Sequence, residues 1–281
     1  MLASAHAAHE EMFLLKRLAE DLKGEGGAAH VHVAWRRSEK AQPAHTKFRI
    51  PAVDAPNVNG AKDLGLAVSA GADGEADLSA LRSAIDQGRV AVLYVLDPGP
   101  DGSMGDTSWL VDARKSGRLP MMVYQGVLQT ELAKIADVVL PGAAWVEKDA
   151  TYTNDKGLVQ AASKAINAPG ESVEDWQILT SVAAALGLPY TYTASKQVRA
   201  DVAKHLSARP EYAGLGETQF NQVMSAENWL KTSNPMERWK WDTMFQDLPP
   251  VKGHNVQMEQ MSQPTVIPLR LVTEEISRAS E

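Results

Sequence analysis

The side chains able to do chemistry fall into a few clusters, and each cluster needs a particular setting. Gly24-Glu25-Gly26-Gly27-Ala28-Ala29 spells a loose dinucleotide fingerprint. Such a loop must follow a strand and open a helix, because the helix N-terminus carries the pyrophosphate. Here it follows a predicted helix and precedes a predicted strand, so it reads as a helix stop. Asp97-Pro98-Gly99-Pro100-Asp101-Gly102 opens like a calcium loop. Gly99 stands where an oxygen ligand is needed and Ser108 where the bidentate glutamate belongs, so it reads as a turn after a strand. His30 and His32 share a strand face, and His6 and His9 lie one helical turn apart. The strand pair has no third ligand nearby and reads as solvated, and the helical pair lacks the glutamate and spacing of a zincin, so neither is assigned to a metal. The chain contains no Gly-x-Ser-x-Gly elbow and no phosphate-binding Walker loop, and its lack of cysteine closes the Cys–His nucleophile class. No catalytic and no metal-ligating residue is assigned.

What remains is a polar stretch, Glu147 to Asn154, leaving the end of a predicted strand, so the elements that would position it come next. A helix is predicted from about Ala5 to Leu22, with Met12, Leu15, Leu18 and Leu22 on one face. A strand follows at His30–Trp35 and a long loop at Gln42–Gly60. From residue 77 the pattern is regular. Leu78 to Ile85 is a short helix, Val90–Leu96 a continuous apolar strand, and Asp106–Ser116 a helix turning Trp109, Leu110 and Ala113 inward. A strand at Met121–Gln125, a helix at Thr130–Ala136 and a strand at Asp137–Leu140 complete the run. Strands that alternate with helices and are apolar on both faces predict an α/β fold with an open, mostly parallel sheet covered by helices. Ser172 and Asp175 are read as a capping pair opening a helix whose inner face is Trp176, Leu179, Val182 and Leu186. Helices are expected at Ser195–Ala208 and Thr218–Leu230, and Asn234–Glu281 shows no stable period. The expected division is an α/β domain over 1–190 and a mainly helical and irregular extension over 191–281.

Composition removes several function classes. The net charge is −7 with no strongly basic stretch, which argues against nucleic acid and against an anionic membrane surface as partner. The longest apolar run, Val90 to Leu96, is far below the roughly 20 residues of a membrane span, so direct insertion is not expected. Met1–Glu11 has no apolar core of a signal peptide, and the expected location is cytoplasmic. Without cysteine the chain lacks the thiolates that hold iron–sulfur clusters. Trp229, Trp239 and Trp241 gather in the aperiodic part and are expected to mark an interface.

One stretch is more specific. Ala136-Asp-Val-Val-Leu-Pro-Gly142 is followed by Glu147-Lys-Asp-Ala-Thr-Tyr-Thr-Asn154 and then Gly157-Leu-Val-Gln160. It resembles the signature of the molybdopterin oxidoreductase family, in which an ADVVLP strand end leads into EKxGTxTNxEGRxQ. Within that family it is most similar to the large iron–sulfur subunit of NADH-quinone oxidoreductase, respiratory complex I. Asn59-Gly-Ala-Lys-Asp-Leu-Gly65 and Glu10-Glu-Met-Phe-Leu-Leu-Lys16 are similar to two further segments of that subunit. Ala150 replaces the usual glycine and Leu158 the usual arginine, which takes away a guanidinium able to grip phosphate or carboxylate in two places. The family's cysteine-rich, cluster-bearing part has no counterpart here, so the sequence reads as a fragment, a split-gene subunit or a truncated paralogue.

The resemblance implies an oxidoreductase subunit that holds no iron–sulfur cluster itself. Its role would be structural and docking, in the peripheral arm of an NADH-quinone oxidoreductase. Its partners would be the other subunits of a membrane-associated respiratory complex, on the cytoplasmic side. The alternative is one wall of the pterin site of a molybdenum enzyme such as a formate dehydrogenase, since molybdopterin is the cofactor of catalytic members. In open α/β sheets ligands bind outside the carboxyl ends of the strands. Strands here end at Asp97, Gln125 and Pro141-Gly142, so the residues expected to meet a cofactor are Asp97, Gly142, Glu147, Thr151 and Asn154. The competing expectation for Glu147–Asn154 is a rigid loop in which Thr151 and Asn154 bond backbone.

Overall fold

Short apolar runs, the last three closed by a glycine or proline, pair side by side and in parallel. The computed structural model describes residues 1–23, 29–39, 41, 42, 50–100 and 102–215. Five strands, β1 (Leu2–Ser4), β2 (His32–Ala34), β3 (Val92–Asp97), β4 (Met121–Gly126) and β5 (Val138–Pro141), form one parallel sheet in the order β2-β1-β3-β4-β5. Register is direct along β3 and β4, from Val92 opposite Met121 to Asp97 opposite Gly126. In β3 successive side chains alternate between two buried clusters. Leu93 and Val95 join the cluster under helices α3 (Ser79–Asp86), α4 (Ser108–Lys115) and α5 (Glu131–Ile135). Tyr94 and Leu96 join the cluster under α1 (His9–Asp21), α6 (Asp175–Ala185) and α7 (Ser195–His205). Burial on both faces is the reason these strands read as continuous apolar runs. The expected α/β sheet is the observed one.

Four local expectations are corrected. The chain opens with a strand, because Leu2–Ser4 pairs with both β2 and β3. Three wholly buried residues carry no periodicity to read, and the first helix begins only at His9. Part of the expected Gln42–Gly60 loop is helix α2 (Val58–Asp63), a short element with asparagine and glycine inside it and so little intrinsic propensity. Gly60 is required there, since a β-carbon would overlap Asn57 Oδ1 and His9 Nε2. The Glu147–Gln160 stretch is more regular than a loop, forming the antiparallel hairpin β6 (Ala150–Thr153) and β7 (Val159–Ala162). Ser172 does not cap α6. The cap position belongs to Glu174, whose carboxylate accepts the Trp176 indole N–H at 2.8 Å.

The inner faces largely follow the sequence. Met12, Leu15 and Leu18 are buried on α1, whereas Leu22 lies past its end and is exposed. Trp176 and Leu179 are buried on α6, and Leu186 lies beyond its last turn in solvent. Val198 and Val202 of α7 and the following Tyr212 join the α1 cluster. The readings of Gly24–Gly27, of Thr218–Leu230, of the 234–281 segment and of Trp229, Trp239 and Trp241 fall outside the described residues.

Candidate functional site

Each of the five residues expected to meet a cofactor has partners within the fold. Asp97 ends β3, is buried, and accepts a hydrogen bond from the Ser103 hydroxyl. Gly142 follows β5 and donates its N–H to the Gly126 carbonyl at 2.9 Å. A β-carbon on Gly142 would overlap Asp175 Oδ1, so the glycine lets α6 approach the strand end. Glu147 closes the 3-10 turn Trp145–Glu147, where its carboxylate accepts the Ala144 N–H at 2.8 Å. Asn154 sits at the hairpin turn, accepting the Lys156 and Leu158 N–H groups at 3.0 Å each and donating to Gln160 Oε1 at 3.2 Å. Thr151 points inward from β6 and is fully buried.

Thr151 leads to a buried polar cluster that the sequence reading did not assemble. Glu10 Oε2 accepts both the backbone N–H and the hydroxyl of Thr151, each at 3.0 Å. Glu10 Oε1 also lies 3.8 Å from an Arg199 guanidinium nitrogen. One residue on, Glu11 Oε1 lies 2.5 Å from Lys148 Nζ, and its other oxygen accepts the Ala8 N–H at the start of α1. The Lys148 ammonium also donates to Asp175 Oδ2 at 2.6 Å. Asp175 Oδ1 accepts from Gln125 Nε2 at 2.8 Å, and Gln125 Oε1 accepts from the Tyr94 hydroxyl. His9, with Nδ1 3.2 Å from Thr151 Oγ1 and Nε2 3.0 Å from Thr153 Oγ1, extends the network toward Tyr212. The Tyr212 hydroxyl donates to Asp63 at 2.7 Å. Since Thr151 gives its hydroxyl proton to Glu10, His9 carries its own on Nδ1. Asn57 completes the arrangement, accepting the Thr153 N–H and donating to the Ala7 carbonyl, both at 2.8 Å.

Three carboxylates and two cations are therefore enclosed, all at most 3% exposed. Burial pushes the Glu10 carboxyl up to about 7, with the Thr151 hydrogen bonds and Arg199 working against the rise. Burial also raises Glu11, opposed by Lys148 and reinforced by Asp175. For Lys148 burial favours discharge, but Asp175 and Glu11 outweigh it and hold the ammonium well above the usual lysine range. Burial lowers His9 to about 4, so its ring is neutral at pH 7. None of these groups is presented to solvent. The arrangement acts as a clasp tying α1 to the hairpin and to α6. Interactions of this kind specify one packing more than they add net stability.

The sheet does carry a cleft where α/β sheets bind ligands, about 710 Å³ in volume, with His6, Asp54, Asn59, Lys62, Tyr152 and Asn154 in its wall. Its ionisable lining is His6, Lys62 and two carboxylates, Asp54 and Asp155. Among the described residues no histidine–carboxylate group converges as a metal site. No described helix is long and apolar enough to cross a membrane.

A sequence profile of the family described as molybdopterin oxidoreductase matches residues 7–185. The alpha subunit of F420-dependent formate dehydrogenase 1 of Methanococcus maripaludis is 36% identical over 129 residues, 45% of this chain and 18% of that protein. The 75 kDa subunit of NADH-ubiquinone oxidoreductase of Reclinomonas americana is 40% identical over 103 residues, 37% of this chain and 14% of that protein. The mitochondrial 78 kDa subunit of NADH-ubiquinone oxidoreductase of Candida albicans is 43% identical over 88 residues, 30% of this chain and 12% of that protein. The matched stretch is thus less than a fifth of the length of each of these relatives.

The pterin dinucleotide of the family's catalytic members carries phosphates, which want fixed cations or a free helix N-terminus. The first turn of α1 is already occupied by the chain's own carboxylates, since Glu11 takes the Ala8 N–H and Glu10 stands beside it. In the cleft one lysine faces two aspartates.

Proposed function

Because this chain belongs to the molybdopterin oxidoreductase family, we propose that it is the non-cluster-bearing α/β part of an oxidoreductase subunit. Its role is to hold shape and contacts in the peripheral arm of an NADH-quinone oxidoreductase, on the cytoplasmic side of the membrane. One observation carries this reading: the signature residues Lys148 and Thr151 face Glu11, Asp175 and Glu10 inside the fold, not the cleft. A motif used to lock helix to hairpin serves architecture. Electrons then pass through clusters in partner subunits, this chain having no cysteine with which to hold one. Similarity to the NADH-ubiquinone oxidoreductase subunits of Reclinomonas americana and Candida albicans supports the assignment.

A second reading, one wall of the pterin site in a formate dehydrogenase, is favoured by the longer match to the Methanococcus maripaludis protein. The two separate on purification of the native assembly through a tag on this chain. The proposal expects co-purifying NADH-quinone oxidoreductase subunits and NADH oxidation without molybdenum or pterin. Formate-dependent dye reduction with stoichiometric molybdenum would replace it with the second reading.

A further inference from the structure

At the amino ends of its strands the described residues leave the sheet open on one face. Val92, Met121 and Val138 stand on the α1–α6 side of β3, β4 and β5, and are 53%, 38% and 38% exposed. Tyr94 and Val123, in register with Val138, and Leu140 two residues further along β5 still pack against the core. Leu18 and Leu22 from α1, and Val182 and Leu186 from α6, flank the opening. The result is an apolar groove of about 870 Å³. Its lining reaches from His32 at the start of β2 to Val138 at the start of β5. Four strand spacings make that roughly 19 Å.

Two features indicate what belongs there. Purely parallel sheets are covered by helices on both faces, and α3, α4 and α5 already cover the opposite one. A span of roughly 19 Å matches a helix of about 13 residues. The second feature is charge. In a chain of net charge −7 the charged side chain lining this groove is the cation Arg89, with the His30 and His32 rings nearby and no carboxylate in the lining. We infer that the groove docks an amphipathic helix of a partner subunit, which lays its apolar face on Val92, Met121 and Val138 and turns its acidic edge toward Arg89. This rests on the docking role proposed above and names the surface that performs it. The contact follows the helix-in-groove mode, in which side chains spaced three and four apart fill the apolar floor.

The test uses the assembly purified from its source, with the photo-crosslinking residue benzoylphenylalanine placed singly at Met121, Val138 or Ile166. Ile166, a still more exposed apolar residue, does not line the groove. The expected result is one crosslinked partner segment from Met121 and Val138, helical in pattern and rich in Asp and Glu, and none of it from Ile166. Arg89→Glu should lower the amount of that partner recovered at least tenfold, with the thermal unfolding of the chain itself unchanged, because Arg89 is on the surface. Crosslinks to lipid, to a second copy, within the chain itself or to a basic segment would each overturn the assignment, as would normal recovery with Arg89→Glu. If oxidoreductase subunits co-purify while the groove positions capture none of them, the docking role stands and the groove assignment falls. If no oxidoreductase subunit co-purifies, both fall.

Discussion

Replacing Lys148 by methionine would strip the clasp of the cation lying between Glu11 and Asp175. The ammonium is 2.5 Å from one carboxylate and 2.6 Å from the other, and all three side chains are at most 3% exposed. Methionine fills similar volume without the charge, so the loss is electrostatic: two carboxylates remain enclosed with no counter-charge at that point. Breaking a buried pair from one side costs about 3–5 kcal/mol. For a domain of this size each kcal/mol lowers Tm by about 2–4 °C, so a fall of roughly 6–20 °C is expected. Urea unfolding, followed by far-ultraviolet circular dichroism and tryptophan fluorescence, reads the change. Adding Glu11→Gln should recover a good part of the loss, because the amide still accepts the Ala8 N–H while removing one of the stranded charges. Lys164→Met is the control. Its partner Glu174 is 3.4 Å away at the surface, and such pairs contribute less than about 1 kcal/mol. If Lys148→Met costs no more than the control, the cluster is not the clasp described above.

Glu10 binds its proton more tightly in the fold, at about 7, than its ordinary value of 4.5. The folded chain therefore holds more protons across that window, and stability should be highest below pH 4.5 and fall as pH rises through 7, by about 3 kcal/mol from this group. Glu10→Gln should flatten that slope in chemical denaturation run at a series of pH values, and an unchanged slope would refute the assignment. Gly60→Ala should destabilise by about 1–3 kcal/mol, because its methyl meets Asn57 and His9 inside the clasp; a neutral outcome in thermal unfolding would mean α2 sits further away. Asn154→Ala should cost about 1 kcal/mol through loss of the hairpin-turn bonds, and adding a pterin dinucleotide should stabilise neither variant nor wild type. A ligand-induced rise in Tm that disappears in the variant would favour the molybdenum-enzyme reading.

The regular part of the fold, residues 77 to 141, is legible because strand and helix each bury a full repeat of their own pattern there. The flanks are harder. Leu2–Ser4 is too short to show alternation, yet it sits between β2 and β3 and fixes where α1 begins. Val58–Asp63 has weak helix propensity and is held by tertiary contacts that no local pattern reports. The clasp was illegible for a related reason. Glu10 and Glu11 look like the solvated acidic first turn of an exposed helix, and Lys148 like a surface lysine. Only the hydrogen bonds spanning 141 positions from Glu10 to Thr151 reveal that these charges are interior. A signal was nonetheless present. Glu10-Glu11, Asn59-Gly60 and Glu147–Asn154 belong to three of the segments that carry the family resemblance, and they meet in space.

That meeting bears on what a family signature means in this fold. Asn59 Nδ2 donates to the Asn154 carbonyl at 2.8 Å, so even the two signature segments outside the charged cluster are joined to each other. These contacts pair early segments with the later signature stretch, although Asn59 and Asn154 also stand in the cleft wall. A motif whose residues mostly bond to one another serves folding first. The motif therefore identifies the architecture and leaves activity to be decided by other positions. Leu158 is one of these. It stands where the family signature has arginine, at 58% exposure beside the hairpin turn. An arginine there would reach outward and could grip an anion, whereas leucine offers an apolar surface. Substitution at the outward position, with the inward ones intact, is what selection for contact in place of ligand binding would leave behind.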